Sequence, residues 1–168
     1  TLFKKSKDLA EVQGVDEALS IVEDNIAHAP LLPGLKRAED LYNRGRFDEA
    51  LPLYEQVYSR WNKSLILVKI ASCKMELGRK EEAIRALNDA AEKRPEDLEL
   101  TEAVFTYYLT LGETDRAKAG FEKILEQHEE AYYSLYKLWI IDLRAKSYKP
   151  AVEYFNRSLI YRPDFVEA

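Results

Sequence analysis

Three stretches, Gly45-Arg46-Phe47-Asp48-Glu49-Ala50, Gly78-Arg79-Lys80-Glu81-Glu82-Ala83 and Gly112-Glu113-Thr114-Asp115-Arg116-Ala117, share a Gly-x-x-x-x-Ala spacing and begin 33 and then 34 residues apart. Self-similarity at a fixed period of this length is the mark of a stacked repeat. A fourth copy keeps the period at Ala151, 34 residues after Ala117, with Tyr148 before it as Phe47 precedes Ala50. There Lys146 stands in place of glycine. Each alanine is followed four residues on by an apolar side chain, Tyr54, Leu87, Phe121 or Phe155, and Pro95 and Pro163 close two of the copies as helix stops.

Each unit therefore reads as a helix, a short turn holding the glycine, a second helix opening near the alanine, and a break. Asp48 and Asp115 are expected as N-caps of second helices, where a side-chain oxygen takes a free backbone N–H. Pro52 and Pro150 are expected in or near the first turn, where a missing N–H costs little. Composition agrees with a folded helical chain: of 168 residues 46% are hydrophobic and 33% charged, with only six glycines and six prolines.

The same composition excludes several function classes. With 25 Lys and Arg against 30 Asp and Glu the net charge is -5, which repels a phosphate backbone, so no nucleic-acid partner is expected. Cys73 is the single cysteine and there are two histidines far apart, so neither a disulfide framework nor a Cys/His metal site can form within the chain. Apolar runs such as Leu65 to Val68 and Leu138 to Ile141 fall far short of the roughly 18 to 20 residues that cross a bilayer, and direct membrane insertion is not expected. The unpaired cysteine points towards a reducing compartment such as the cytoplasm and leaves the periplasm open.

Period and residues together resemble the tetratricopeptide repeat, a 34-residue antiparallel helix pair. Residues 64–97 match its pattern through Leu67, Ile70, Ala71, Gly78, Ala83, Leu87, Ala90 and Pro95. Residues 31–63 match through Ala38, Leu41, Gly45, Ala50, Tyr54 and Val57, and 98–131 through Val104, Tyr108, Gly112, Ala117, Phe121 and Ile124. In 132–165 the matching residues are Leu135, Leu138, Tyr148, Ala151, Phe155 and Pro163. The resemblance implies an all-α fold, a right-handed superhelical solenoid of antiparallel helix pairs running over 1–168. Residues 1–30 read as a degenerate further copy through Val15, Ala18, Val22 and Pro30, and 166–168 as the start of a truncated further helix.

Departures from the pattern carry their own expectations. Phe105 and Trp139 occupy a slot where Gly or Ala is usual, so the last two hairpins should splay or repack around a large ring. Lys74 and Asp142 replace an apolar residue near the end of a first helix. Lys74 can snorkel, whereas Asp142 needs a partner or water.

The resemblance also implies that first helices line a concave face, and this is where a partner is expected. In 64–97 that face carries Leu65, Val68, Ser72 and Met75, opposite the core-facing Leu67, Ile70, Ala71 and Leu77. In 98–131 it carries Glu99, Glu102, Ala103, Thr106 and Leu109, and in 132–165 Tyr133, Tyr136, Lys137, Ile140 and Leu143. The candidate partner-binding residues are therefore Leu65, Val68, Lys69, Ser72, Met75, Thr106, Leu109, Tyr133, Tyr136, Lys137, Ile140 and Arg144. An alternative is that the first thirty residues cover this surface. One subset of the family clamps a C-terminal carboxylate with basic and amide side chains. The matching positions here include Leu35, Glu39, Lys69, Glu99 and Ala103, so that clamp is absent.

No nucleophile, metal or cofactor constellation emerges, so no enzyme activity and no cofactor are expected. His28 and His128 read as surface residues at helix ends. The expected function is a protein-interaction scaffold or adaptor, its partner a protein or peptide, amphipathic with an acidic flank that meets Lys69, Lys137 and Arg144. The alternative is a structural assembly module, self-associating weakly through terminal helices such as that of Val152, Phe155 and Leu159.

Overall fold

The computed structural model describes residues 27–163, and every regular element among them is helical. The degenerate copy read over 1–30 lies almost wholly outside the described residues, and so does its suggested role as a cover. The truncated helix at 166–168 lies outside them entirely.

The chain divides between Asn62 and Lys63 into two compact units. In the first, a 3-10 turn at Ala29–Leu31 leads into α1 (Leu32–Asn43), which packs on α2 (Phe47–Tyr58). The second holds α3 (Ser64–Glu76), α4 (Lys80–Lys93), α5 (Leu98–Thr110), α6 (Thr114–Gln127), α7 (Tyr132–Arg144) and α8 (Tyr148–Tyr161). Successive helices of this unit pack on one another, and α3 with α5 and α5 with α7 meet directly across the intervening second helix.

One turn geometry makes the hairpins. Helix α1 ends with the Gly45 N–H donating to the Tyr42 carbonyl and the Arg46 N–H to the Leu41 carbonyl, the pair of reversed bonds of a Schellman motif. The same pair recurs at Gly78 and Arg79, Gly112 and Glu113, and Lys146 and Ser147. It requires a left-handed backbone, and φ is 72°, 77° and 82° at the three glycines and 62° at Lys146. Arg46, Arg79, Glu113 and Ser147 then serve at once as the last turn residue and as the N-cap of the next helix.

That double use moves two expected caps. Asp48 and Asp115 lie inside the first turns of α2 and α6, where their negative charge suits the helix start but their side chains do not cap it. The side-chain cap is instead Asp97, whose Oδ1 accepts the Leu100 N–H at 3.2 Å. Pro150 is in the first turn of α8, as expected. Pro52 is not in the first turn: it is inside α2, where its ring nitrogen has no N–H to give to the Asp48 carbonyl one turn back.

The core follows the repeat. Ala50, Tyr54, Ala83, Leu87, Ala117, Phe121, Leu135 and Leu138 are fully buried, and so is Cys73. Leu77, expected to face the core, is exposed because it caps the end of α3. The large rings are absorbed locally. Phe105 packs edge-on to Phe121, with centroids 5.8 Å apart, and fills the space left by the absent side chain of Gly120. Trp139 stacks obliquely on Phe155 at 4.8 Å. Lys74 reaches the Glu82 carboxylate at 3.9 Å, and the buried Asp142 accepts a hydrogen bond from Lys118.

Candidate interaction groove

Helices α3, α5 and α7 are joined side to side by hydroxyl groups. Ser72 Oγ donates to the Val68 carbonyl at 2.9 Å and shares a hydrogen bond of 2.7 Å with the Tyr107 hydroxyl, which reaches the same carbonyl at 3.5 Å. A second hydroxyl pair lies one step along. Thr106 Oγ1 donates to the Glu102 carbonyl at 2.8 Å, and Tyr133 Oη, 3.4 Å away, donates to Thr106. Glu102 completes the link, because its Oε1 accepts both the backbone N–H of Ser134, at 3.1 Å, and the Ser134 hydroxyl, at 2.7 Å. Ser134 is in the first turn of α7, so a carboxylate from α5 satisfies a helix-start N–H that has no partner in its own helix.

These links floor a hollow of about 670 Å³. Val68, Leu98, Ala103 and Ala131 give it apolar walls, and Tyr107, Tyr132 and Tyr133 add aromatic surface. Its charged lining residues are Glu99, Glu102 and Glu130, and His128 lies close enough to act on the Glu102 carboxylate. Burial pushes the Glu102 carboxyl above the usual range, against the pull of the Ser134 donors. Burial also raises Glu99, with help from the neighbouring Asp97 carboxylate. Positive charge collects instead on the tyrosine faces. Lys137 Nζ stands 4.8 Å from the Tyr133 ring centre and 5.9 Å from that of Tyr136, and the Arg162 guanidinium 4.8 Å from that of Tyr132.

Of the residues expected to bind a partner, the hollow gathers Val68, Ser72, Thr106 and Tyr133. Leu65, Lys69 and Met75 of α3, Leu109 of α5, and Tyr136, Lys137, Ile140 and Arg144 of α7 do not line it. Leu65 and Arg144 are exposed, and Tyr136 tilts against Trp139 at 5.4 Å. Helical periodicity had placed Glu99 and Glu102 on this face without marking them as site residues. Tyr107 and Tyr132 sit one position off the assumed stripe, and Glu130 belongs to the connection before α7.

Neither histidine joins a reactive cluster in the described residues. His28 stacks flat on Trp61, with centroids 5.0 Å apart, and His128 caps α6 through its backbone N–H to the Ile124 carbonyl. Among the described residues no group of His, Cys, Asp and Glu is arranged to hold a metal ion, and no described helix is long and apolar enough to cross a membrane.

Comparison with known proteins agrees with this architecture. A tetratricopeptide repeat family model matches residues 41–104. No curated protein sequence matches the chain. Among solved structures, MamA is similar with a TM-score of 0.57 at 18% identity, over 77% of this chain and 77% of that one. YrrB, described as a TPR protein with an unusual peptide-binding site, is similar with a TM-score of 0.58 at 16% identity, over 94% of this chain and 83% of its own. A tetratricopeptide repeat protein from Parabacteroides merdae gives 0.59 at 17% identity, over 83% of this chain and 55% of its own. At such identities the likeness is one of fold. Proteins of this fold are in general protein-protein interaction scaffolds without catalytic activity. From its glycine-turn hairpins and its likeness to these structures, the chain has the tetratricopeptide repeat fold, and its residues 41–104 match that family's model.

Proposed function

We propose that the chain is an adaptor that holds a peptide, helix or partner domain across α3, α5 and α7. The observation that carries this reading is the hollow of about 670 Å³, walled by apolar and tyrosine side chains from first helices and their connections. A concave, mostly apolar surface with a few fixed polar groups is the usual form of a binding site, and tyrosine gives large contact area at low rotamer cost. YrrB, a TPR protein of similar fold with an unusual peptide-binding site, is in keeping with it. The partner is amphipathic. Its apolar stripe lies along the groove, and acidic residues at its edge meet Lys69, Lys137 and Arg144.

The test is a peptide selected from a random library on the full chain, followed by titration against variants. Tyr133→Ala and Tyr136→Ala are each expected to weaken binding by about 1 to 2 kcal/mol or more, the hot-spot scale. If both leave affinity intact while charge reversal at the exposed Glu122 and Lys123 of α6 abolishes it, the convex surface is the site.

A second reading is favoured by α8, where Val152 is 57% and Ile160 74% exposed. An apolar face of this kind supports self-association of copies through the last helix. Sedimentation that is monomeric at high concentration excludes it.

A further inference from the structure

Resting on the groove reading, we infer that the hollow between α3, α5 and α7 receives a lysine or arginine side chain of the bound peptide. The first ground is charge. Glu99, Glu102 and Glu130 are the charged residues lining the hollow, and none of them has an ion-pair partner among the described residues. His128 near Glu102, and Lys137 and Arg162 on the rim tyrosines, offset this charge only in part. An acidic side chain entering here would therefore meet an excess of negative charge, while a basic one supplies counter-charge.

The second ground is hydrogen-bond polarity, which is independent of net charge. The hydroxyl hydrogens of Ser72 and Tyr107 are taken up between each other and the Val68 carbonyl, that of Thr106 by the Glu102 carbonyl, and that of Tyr133 points to Thr106. Glu102 uses only Oε1 on Ser134. The floor therefore offers acceptors and few donors. Ammonium and guanidinium groups are donor-only, so they match such a floor, whereas a carboxylate is acceptor-only and does not.

The third ground is shape. A lysine or arginine carries its charge on an apolar stem, and Val68, Leu98 and Ala103 provide wall for that stem while the glutamates take the head. Acidic residues elsewhere on the same peptide reach Lys137 and Arg144 on α7. The ligand is thus a peptide with one basic anchor in its apolar stripe and acidic residues towards one end.

The experiment uses the full 168-residue chain and synthetic fluorescent peptides of one apolar framework, in four sets that differ at a single scanned position: Lys, Arg, Gln or Glu. The Lys or Arg sets are expected to bind at least about tenfold more tightly than the Gln set, and the Glu set most weakly. The Glu99→Gln/Glu102→Gln double variant should erase that preference, with thermal unfolding checked in parallel because the amides retain shape and an acceptor oxygen. Equal binding of the Lys, Arg and Gln sets, or a preference that persists in the double variant, overturns the anchor. If binding without a basic preference is still lost in Tyr133→Ala, the groove stands and only the anchor fails. A basic preference that survives both Tyr133→Ala and Tyr136→Ala places the site elsewhere, and no binding by any set overturns both readings.

Discussion

The ring of Phe105 on α5 occupies the space that a side chain on Gly120 of α6 would need: a Cβ built on Gly120 would lie 2.1 Å from the ring Cε1. The large residue on one helix and the missing one on its neighbour are a single adaptation. Glycine in a helix interior is about 1 kcal/mol worse than alanine, so propensity alone says Gly120→Ala should stabilise. Overpacking costs about 1 to 3 kcal/mol, and here it wins. Gly120→Ala is expected to destabilise the chain by roughly 1 to 2 kcal/mol in urea unfolding, and to be neutral or stabilising in a Phe105→Ala background. Equal effects in both backgrounds would show that the ring moves aside freely.

Lys146 adopts the φ of 62° that the other turns give to glycine. A left-handed backbone costs an ordinary L-residue about 1 to 2 kcal/mol, and part of that is returned because glycine also loosens the unfolded chain. Lys146→Gly is therefore expected to raise stability by about 0.5 to 1 kcal/mol, with Lys146→Ala giving no gain. Thermal unfolding of the two variants checks it.

The turns explain what the sequence could and could not reveal. A left-handed residue once per period is a backbone demand, so Gly45, Gly78 and Gly112 announce it, and Lys146 shows that the position outlasts the residue. The caps were misplaced because the N–H of Arg46 and of Glu113 both closes one helix and precedes the next, which leaves Asp48 and Asp115 already inside. Periodicity sorted α3, α5 and α7 into faces but could not say which residues share a hollow. That depends on how neighbouring helices sit, as with Glu102 reaching Ser134 in the following repeat. The Phe105 and Gly120 match was hidden for the same reason: each residue looks anomalous alone and becomes sensible only as a pair.

Asp142 is 1% exposed and takes a hydrogen bond from Lys118, which holds the lysine above its usual pKa range. Removing one member of a buried pair strands the other. Lys118→Met is expected to cost about 2 kcal/mol, somewhat less than for a fully buried pair because Lys118 is part exposed. Lys118→Met/Asp142→Leu should recover most of the loss, since an apolar residue is what the repeat normally places at 142. A double variant no more stable than Lys118→Met would show that Asp142 has another role.

In the proposed anchor site Glu102 would set stability against recognition, and pH can separate the two. Burial raises its carboxyl, so the fold prefers the protonated form. The sign follows: the stabilising contribution is full below the unfolded value of about 4.3 and is lost as pH rises through the higher folded value. At pH 7 the charged carboxylate is therefore a burden. Glu102→Gln removes that charge while its amide oxygen still accepts from the Ser134 N–H and hydroxyl. The variant is expected to be more stable than the parent at pH 7, by up to roughly 1 kcal/mol, the scale of one net hydrogen bond. The advantage should shrink as pH falls towards 4, where the parent also becomes neutral. Urea midpoints at several pH values between 4 and 7 measure both arms. A loss of stability at pH 7 that vanishes at pH 4 would mean that the carboxylate's attraction to the start of α7 outweighs its desolvation. A gain at pH 7 joined to weaker binding of the basic peptides would identify Glu102 as a residue whose charge is held for recognition at the expense of the fold.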